Sequence, residues 1–110
     1  MLIQSDLIQV KRMWGNFIQF TENEPSTVKL IHIKKGMATH LQYHNYRTEQ
    51  WYVIKGKLFI TKGIQTSFLL PGETITIDVK QQHRFEGLED SIILEISKGY
   101  FDEKDIVHLD

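Results

Sequence analysis

The chain has 110 residues, 41% hydrophobic and 25% charged, which suits a single soluble domain with one modest core. A net charge of −1 argues against nucleic acid or an anionic membrane as a bulk partner, and no apolar run approaches the ~20 residues that span a bilayer. There is no cysteine for a disulfide, a thiolate nucleophile or a cysteine-type zinc site, and Met1-Leu2-Ile3 passes at once into Gln4-Ser5-Asp6, leaving no signal-peptide core; the expectation is a cytoplasmic domain.

Short β-rich runs recur at residues 16–21, 27–33, 38–44, 50–54, 58–62, 67–70, 74–77 and 91–97. Turn signals separate them, among them Asn23-Glu24-Pro25, Lys35-Gly36, Lys55-Gly56, Lys62-Gly63 and Pro71-Gly72. Strands of this length and spacing predict a sandwich or barrel. In 27–33, alternation sets Val28, Leu30 and His32 against Lys29, Ile31 and Ile33; in 50–54 it sets Trp51 and Val53 against Gln50, Tyr52 and Ile54. Both faces are substantially apolar, which predicts strands covered on both sides, the outer one in a homodimer. Trp14 and Trp51 read as core anchors, and the acidic segment 100–110 as a docking tail or edge segment.

One constellation carries chemistry: Gly36-x5-Gln42-x-His44-x4-Glu49-x6-Gly56, followed by Gly72-x10-His83. Gln42 and His44 are two apart on an expected strand and share a face. Glu49 lies five residues after His44, so a turn must intervene, and Asn45-Tyr46-Arg47-Thr48 supplies it. His83 arrives from a distant hairpin, and a closed barrel can bring all four to one interior point. Two imidazoles, a carboxylate and an amide oxygen suit a divalent metal ion, zinc foremost, with manganese, cobalt, nickel and iron also compatible. His40 has the parity of Gln42 and His44, which makes it a candidate for the pocket wall. Glu49 is the carboxylate at the site, and no second acid/base residue is evident.

This pattern resembles the cupin superfamily. The first cupin motif is matched with Gln42 in place of its first histidine. In the second, Gly72 and His83 match, while Asp78, Lys80 and Gly87 replace a proline, a glycine and an asparagine. Met13-Trp14-Gly15-Asn16-Phe17, Leu41-Gln42-Tyr43-His44, Arg47-Thr48-Glu49-Gln50-Trp51 and His83-Arg84 are similar to the C-terminal cupin domain of type II mannose-6-phosphate isomerases. The tail Gly99-Tyr100-Phe101-Asp102-Glu103-Lys104-Asp105-Ile106-Val107 continues the likeness, which runs over residues 12–110. Asn45, Tyr46 and Gln50 depart from it, standing where the family pattern has histidines; Ser97 stands where glutamine is usual.

The resemblance implies an all-β, single-domain cupin, a double-stranded β-helix or jelly-roll-like barrel, over residues 1–110. It implies a metal held by Gln42, His44, Glu49 and His83, and aldose–ketose isomerisation of a sugar phosphate in carbohydrate or polysaccharide precursor metabolism. Glu49 and Arg84 are then the candidate catalytic residues, and Arg47, Tyr46 and His40 the candidate substrate contacts. Lys29 is a further cationic candidate, read in the first place as a solvated surface charge. The alternative is a non-catalytic sugar- or metal-binding module. Long members carry a nucleotidyltransferase domain ahead of this one; its glycine-rich nucleotide loop has no counterpart in these residues, so pyrophosphorylase activity is not expected.

Overall fold

A computed structural model describes residues 8–110, which form strands and no helix. A hairpin of β1 (Ile8–Arg12) and β2 (Gly15–Gln19) stands as a separate two-stranded sheet. The body is two larger sheets. One runs in the order β3 (Ser26–Ile33), β10 (Ser91–Gly99), β5 (Arg47–Lys55), β8 (Thr74–Ile77). The other runs β11 (Val107–His108), β4 (Gln42–Tyr43), β9 (His83–Gly87), β6 (Leu58–Lys62), β7 (Gln65–Leu69). Every pairing is antiparallel. The sheets are joined through side chains, not by a closed ring of ladders. This is the cupin jelly roll, open at its seams where a closed barrel was expected.

Alternation decides what lies between the sheets. Trp51 and Val53 of β5, Ile75 and Ile77 of β8 and Ile93 of β10 meet Leu58, Ile60, Leu69 and Phe85 from the facing sheet, with Ile31 and Ile33 packed against them. Each such side chain contributes roughly 1.5–3 kcal/mol when fully buried. Trp51 closes the core at one end: its ring stands edge-on to Phe85 at 4.4 Å and to His83 at 5.5 Å. The apolar core therefore ends where the polar site begins.

Several expectations change. In place of a strand over 38–44 there is a bridge from Ala38 to Glu86 and the two-residue β4. The N–H groups of Gly36 and Thr39 reach the carbonyls of Gly87 and Phe85, so the chain crosses β9 irregularly and parity is lost between His40 and Gln42. Trp14 is 74% exposed near the hairpin tip, stacked on Phe17 and away from the core, so only Trp51 anchors it. The outer face of β3 is left open among the described residues: Val28 and Leu30 are 59% and 61% exposed. The tail does dock, with Val107 and His108 paired to Tyr43 and Gln42 at a sheet edge.

Gly56 turns β5 into β6 at φ +96°, and a Cβ there would lie 2.6 Å from the Asp90 carbonyl oxygen and 2.7 Å from the Ser91 Cα. Neither backbone atom can step aside. Gly56→Ala is therefore expected to destabilise the fold by about 2 kcal/mol or more, read as a lower urea midpoint with an unchanged m-value.

Candidate metal centre

The β4–β5 turn and the start of β9 build the site. Gln42 lies opposite His83 in the β4–β9 pairing, which puts both side chains on one face. His44 follows β4 directly, and Glu49 is the third residue of β5. His44, Glu49 and His83 are all buried, and one ligand atom from each lies within 4.8 Å of the others. His44 Nε2 is 3.4 Å from Glu49 Oε2, and His83 Nε2 is 3.7 Å from Glu49 Oε1.

The tautomers follow from the far side of each ring. His44 Nδ1 lies 2.7 Å from the Asp105 carbonyl oxygen, and His83 Nδ1 lies 2.9 Å from that of Gln81. A carbonyl can only accept, so each Nδ1 carries a hydrogen and donates it. In the neutral ring each Nε2 then presents a lone pair to the Glu49 carboxylate. Burial lowers the pKa of His83 against the opposing pull of the Gln81 hydrogen bond and the Glu49 charge, favouring that neutral form. Its Nε2 has no hydrogen-bond partner among the described residues. Two lone pairs and a carboxylate turned on one another, each imidazole oriented by a backbone carbonyl, form a donor set that fits a cation. The chemistry suits a divalent ion and does not select which one.

A clasp from the tail holds this arrangement. Arg47 Nε donates to Glu49 Oε2 at 3.1 Å, and its Nη1 donates to the carbonyls of Asp102 at 3.2 Å and Asp105 at 3.4 Å. The Asp105 carboxylate accepts the backbone N–H groups of Asn45 at 2.9 Å and Tyr46 at 3.0 Å. Burial would raise the Asp105 pKa, but these hydrogen bonds outweigh it and hold the group below the ordinary carboxylate range. On the other side the Lys80 N–H donates to the His44 carbonyl at 2.6 Å, with Lys80 at φ +61°. That left-handed backbone favours glycine, the residue the cupin pattern has there.

A cavity of about 200 Å³ opens on the cluster. Gln42, His44, Glu49 and Trp51 line it together with Lys29, Arg47 and Glu95. Lys29 is thus a wall residue and no mere surface charge; it pairs with Glu103 at 3.3 Å and lies over the Phe101 ring at 4.6 Å. Glu95 is a second carboxylate, which the sequence reading missed. It is 6% exposed, projecting inward from β10 between Ile93 and Ser97. Burial first, and then the Glu49 charge, push it up to about 7, against the opposing effect of Lys29, Arg47 and a hydrogen bond from Ser97.

The structure thus brings together His44, Glu49 and His83, with Gln42 and Arg47 on the same cavity. It does not bring Arg84 or His40 to them. Arg84 follows His83 on β9 and so points to the other face, where it lines a separate cleft with Phe59, Thr61 and Glu86 and lies 3.8 Å from Asp110. His40 stacks on His108 at 4.5 Å and meets Asp110 at 3.2 Å. Tyr46 is 64% exposed and edges onto Tyr100 outside the cavity. Gln50 is on the face of β5 opposite Glu49, level with Ile96 and Thr76. The sequence departures at Tyr46 and Gln50 therefore leave the three-residue cluster untouched.

Residues 4–110 match the family of mannose-6-phosphate isomerase C-terminal domains. The chain belongs to that family. It is 32% identical over 102 residues to mannose-1-phosphate guanylyltransferase 2 of Escherichia coli O157:H7, covering 90% of this chain and 21% of that protein. It is 30% identical over 105 residues to the alginate biosynthesis protein AlgA of Pseudomonas aeruginosa PAO1, covering 93% of this chain and 22% of that one. The chain thus spans about a fifth of the length of these relatives. Among solved structures, dTDP-4-dehydrorhamnose 3,5-epimerase from Sulfolobus tokodaii aligns over 93% of this chain and 73% of its own, with a TM-score of 0.71 and 16% identity, a likeness of fold alone.

Two outcomes follow from the geometry. Protein stripped of metal with a chelator should take up one equivalent of zinc, manganese or cobalt and gain stability, about 2.7 kcal/mol at a hundredfold excess over Kd, and His83→Ala should abolish both uptake and gain, as read by metal analysis and thermal melts. In the metal-free protein, Glu95 has a folded pKa near 7 against an ordinary value of 4.5. The folded state then binds the extra proton, so this contribution to stability is full below about pH 4.5 and declines as pH rises to about 7. Glu95→Gln should remove that decline, and the variant should gain on the wild type in melts at pH 8 compared with pH 4.5.

Proposed function

We propose that this domain is a metal-dependent aldose–ketose isomerase acting on a sugar phosphate of the mannose-6-phosphate class, in polysaccharide precursor metabolism. The observation that carries it is the His44 and His83 Nε2 atoms turned towards the Glu49 carboxylate, in a cavity whose wall also holds the cations Lys29 and Arg47. The family name and the relatives in mannose-1-phosphate and alginate metabolism point the same way.

A divalent ion held by His44, Glu49, His83 and Gln42 would supply Lewis-acid polarisation of the sugar oxygens. The remaining work falls to the side chains. Lys29 sits at the tail side of the cavity and can exchange Glu103 for a phosphate, whose stronger charge favours the swap. Arg47 adds positive charge to the wall while fixing Glu49. Trp51 and Phe85 give an apolar floor that limits water.

A second function is supported by one feature: Glu103 already neutralises Lys29, which suits a module that binds sugar or metal without turnover. A coupled assay for fructose-6-phosphate formation separates the two. The isomerase predicts turnover by the metal-loaded domain, reduced at least ~100-fold by Glu49→Gln. Absence of turnover with retained thermal stabilisation by sugar phosphates would favour the binding module.

We also propose that the domain works in the cytoplasm as a homodimer. The exposed Val28, Leu30 and Ile54 on the outer sheet face support pairing, and the lack of cysteine suits a reducing compartment. Light scattering at micromolar concentration should return twice the chain mass; a monomer would contradict the pairing.

A further inference from the structure

Glu95 is a carboxylate for which the fold has no evident use. On β10 it lies opposite Trp51 of β5 and Lys29 of β3, and the next inward residue, Ser97, lies opposite Glu49. Glu95 and Glu49 are therefore diagonal neighbours across one ladder, with backbones about 7–8 Å apart. That separation leaves Glu95 outside the three-residue cluster but on the same cavity wall.

Its surroundings do not account for its presence as structure. Core residues flank it, with Ile93 on its own strand and Trp51 across the ladder. Among the described residues no cation lies within ion-pair distance of it: Lys29 is paired to Glu103 and Arg47 to Glu49. Its hydrogen bond from Ser97 Oγ is 3.5 Å long, the outer limit for such a bond. A buried carboxylate with so little compensation costs stability. Groups kept at such a cost on a cavity wall are characteristic of functional sites.

We propose that Glu95 is the acid/base residue of the cavity, carrying the proton between the two reacting carbons of an open-chain sugar phosphate. This rests on the isomerase function proposed above. In the aldose-to-ketose direction, the Glu95 carboxylate takes the proton from C2. The C2–H bond breaks, an O–H bond forms on Glu95, and the C–H electron pair becomes the C1–C2 double bond of an enediolate, with negative charge on O1. The O2 hydroxyl proton passes to O1. Electrons return from O2 through C2 to C1, which takes the proton back from Glu95. The carbonyl has moved from C1 to C2 and one hydrogen from C2 to C1, with no co-reactant consumed. Glu49, engaged by Arg47 and facing two imidazoles, is then free of any proton-carrying duty.

The test compares the metal-loaded wild-type chain with Glu95→Gln and Glu95→Asp. Mannose-6-phosphate turnover is measured together with deuterium uptake from D2O at C1 and C2, alongside metal content and melting temperature. Glu95→Gln is expected to keep one equivalent of metal, a melting temperature no lower than wild type and a KM within about threefold, yet to lose at least ~100-fold in kcat and in deuterium uptake. Glu95→Asp should recover a measurable part of both. If Glu95→Gln turns over within threefold of wild type, or loses metal or unfolds while Glu95→Asp stays inactive, the acid/base role is wrong and the isomerase function stands. If the wild-type chain shows neither turnover nor deuterium uptake, both fall together.

Discussion

The Glu49 carboxylate governs the architecture of this end of the domain. It is 2% exposed, and a carboxylate removed from water so completely must be matched by charge and hydrogen bonds. Arg47, two residues earlier on the same strand, supplies one charge at 3.1 Å. That guanidinium is itself 6% exposed and needs acceptors, which the tail carbonyls of Asp102 and Asp105 provide. The tail is fixed in turn by the Asp105 carboxylate on the β4–β5 turn. What this chain leaves unmatched is the side of Glu49 that faces His44 and His83. There both imidazoles offer lone pairs, and a divalent cation answers all three groups at once.

Strand geometry makes such a site possible in a small domain. The ligands come from β4 and its exit and from β9 of one sheet, and from β5 of the facing sheet, while Trp51 seals the apolar core beneath them. Gly99 at φ +106° lets the end of β10 pass close to the Tyr46 carbonyl, and so lets the tail fold back over the cavity mouth. Phe101 then lies 4.6 Å from both Lys29 and Arg47. The tail is part of the site: it supplies the ring under both cations, the carboxylate paired with Lys29 and the carbonyls that accept from Arg47.

Much of this is legible in the amino-acid sequence, because spacing and alternation are local. His44, Glu49 and His83 declare themselves by motif spacing, and Trp51 by its parity with Val53 and Glu49. What escapes are contacts made across large sequence separations. Asp105 acts on residues some sixty positions away, which no local pattern reports. Glu95 sits in an ordinary alternating strand, and only the strand pairing shows it to be a diagonal neighbour of Glu49, one inward position along from Ser97. Arg84 shows the opposite error: adjacency to His83 in sequence suggests a shared site, whereas adjacency on a strand places the two on opposite faces. His40 lies away from the cluster, against His108 and Asp110, because the irregular crossing at residues 36–41 breaks the parity that a continuous strand keeps.

The departures from the family pattern take on a different weight in three dimensions. Gln50 faces away from Glu49, Tyr46 lies on the rim, and Lys80 adopts the backbone conformation of the glycine it replaces. None of them removes a member of the buried cluster. The central claim is that His44, Glu49 and His83 form one preorganised metal-binding set. X-ray absorption spectroscopy on the zinc-loaded protein tests it most directly. The expected result is a shell of nitrogen and oxygen donors near 2.0–2.2 Å with the multiple-scattering signature of two imidazoles. A shell of oxygen donors without imidazole scattering would contradict it.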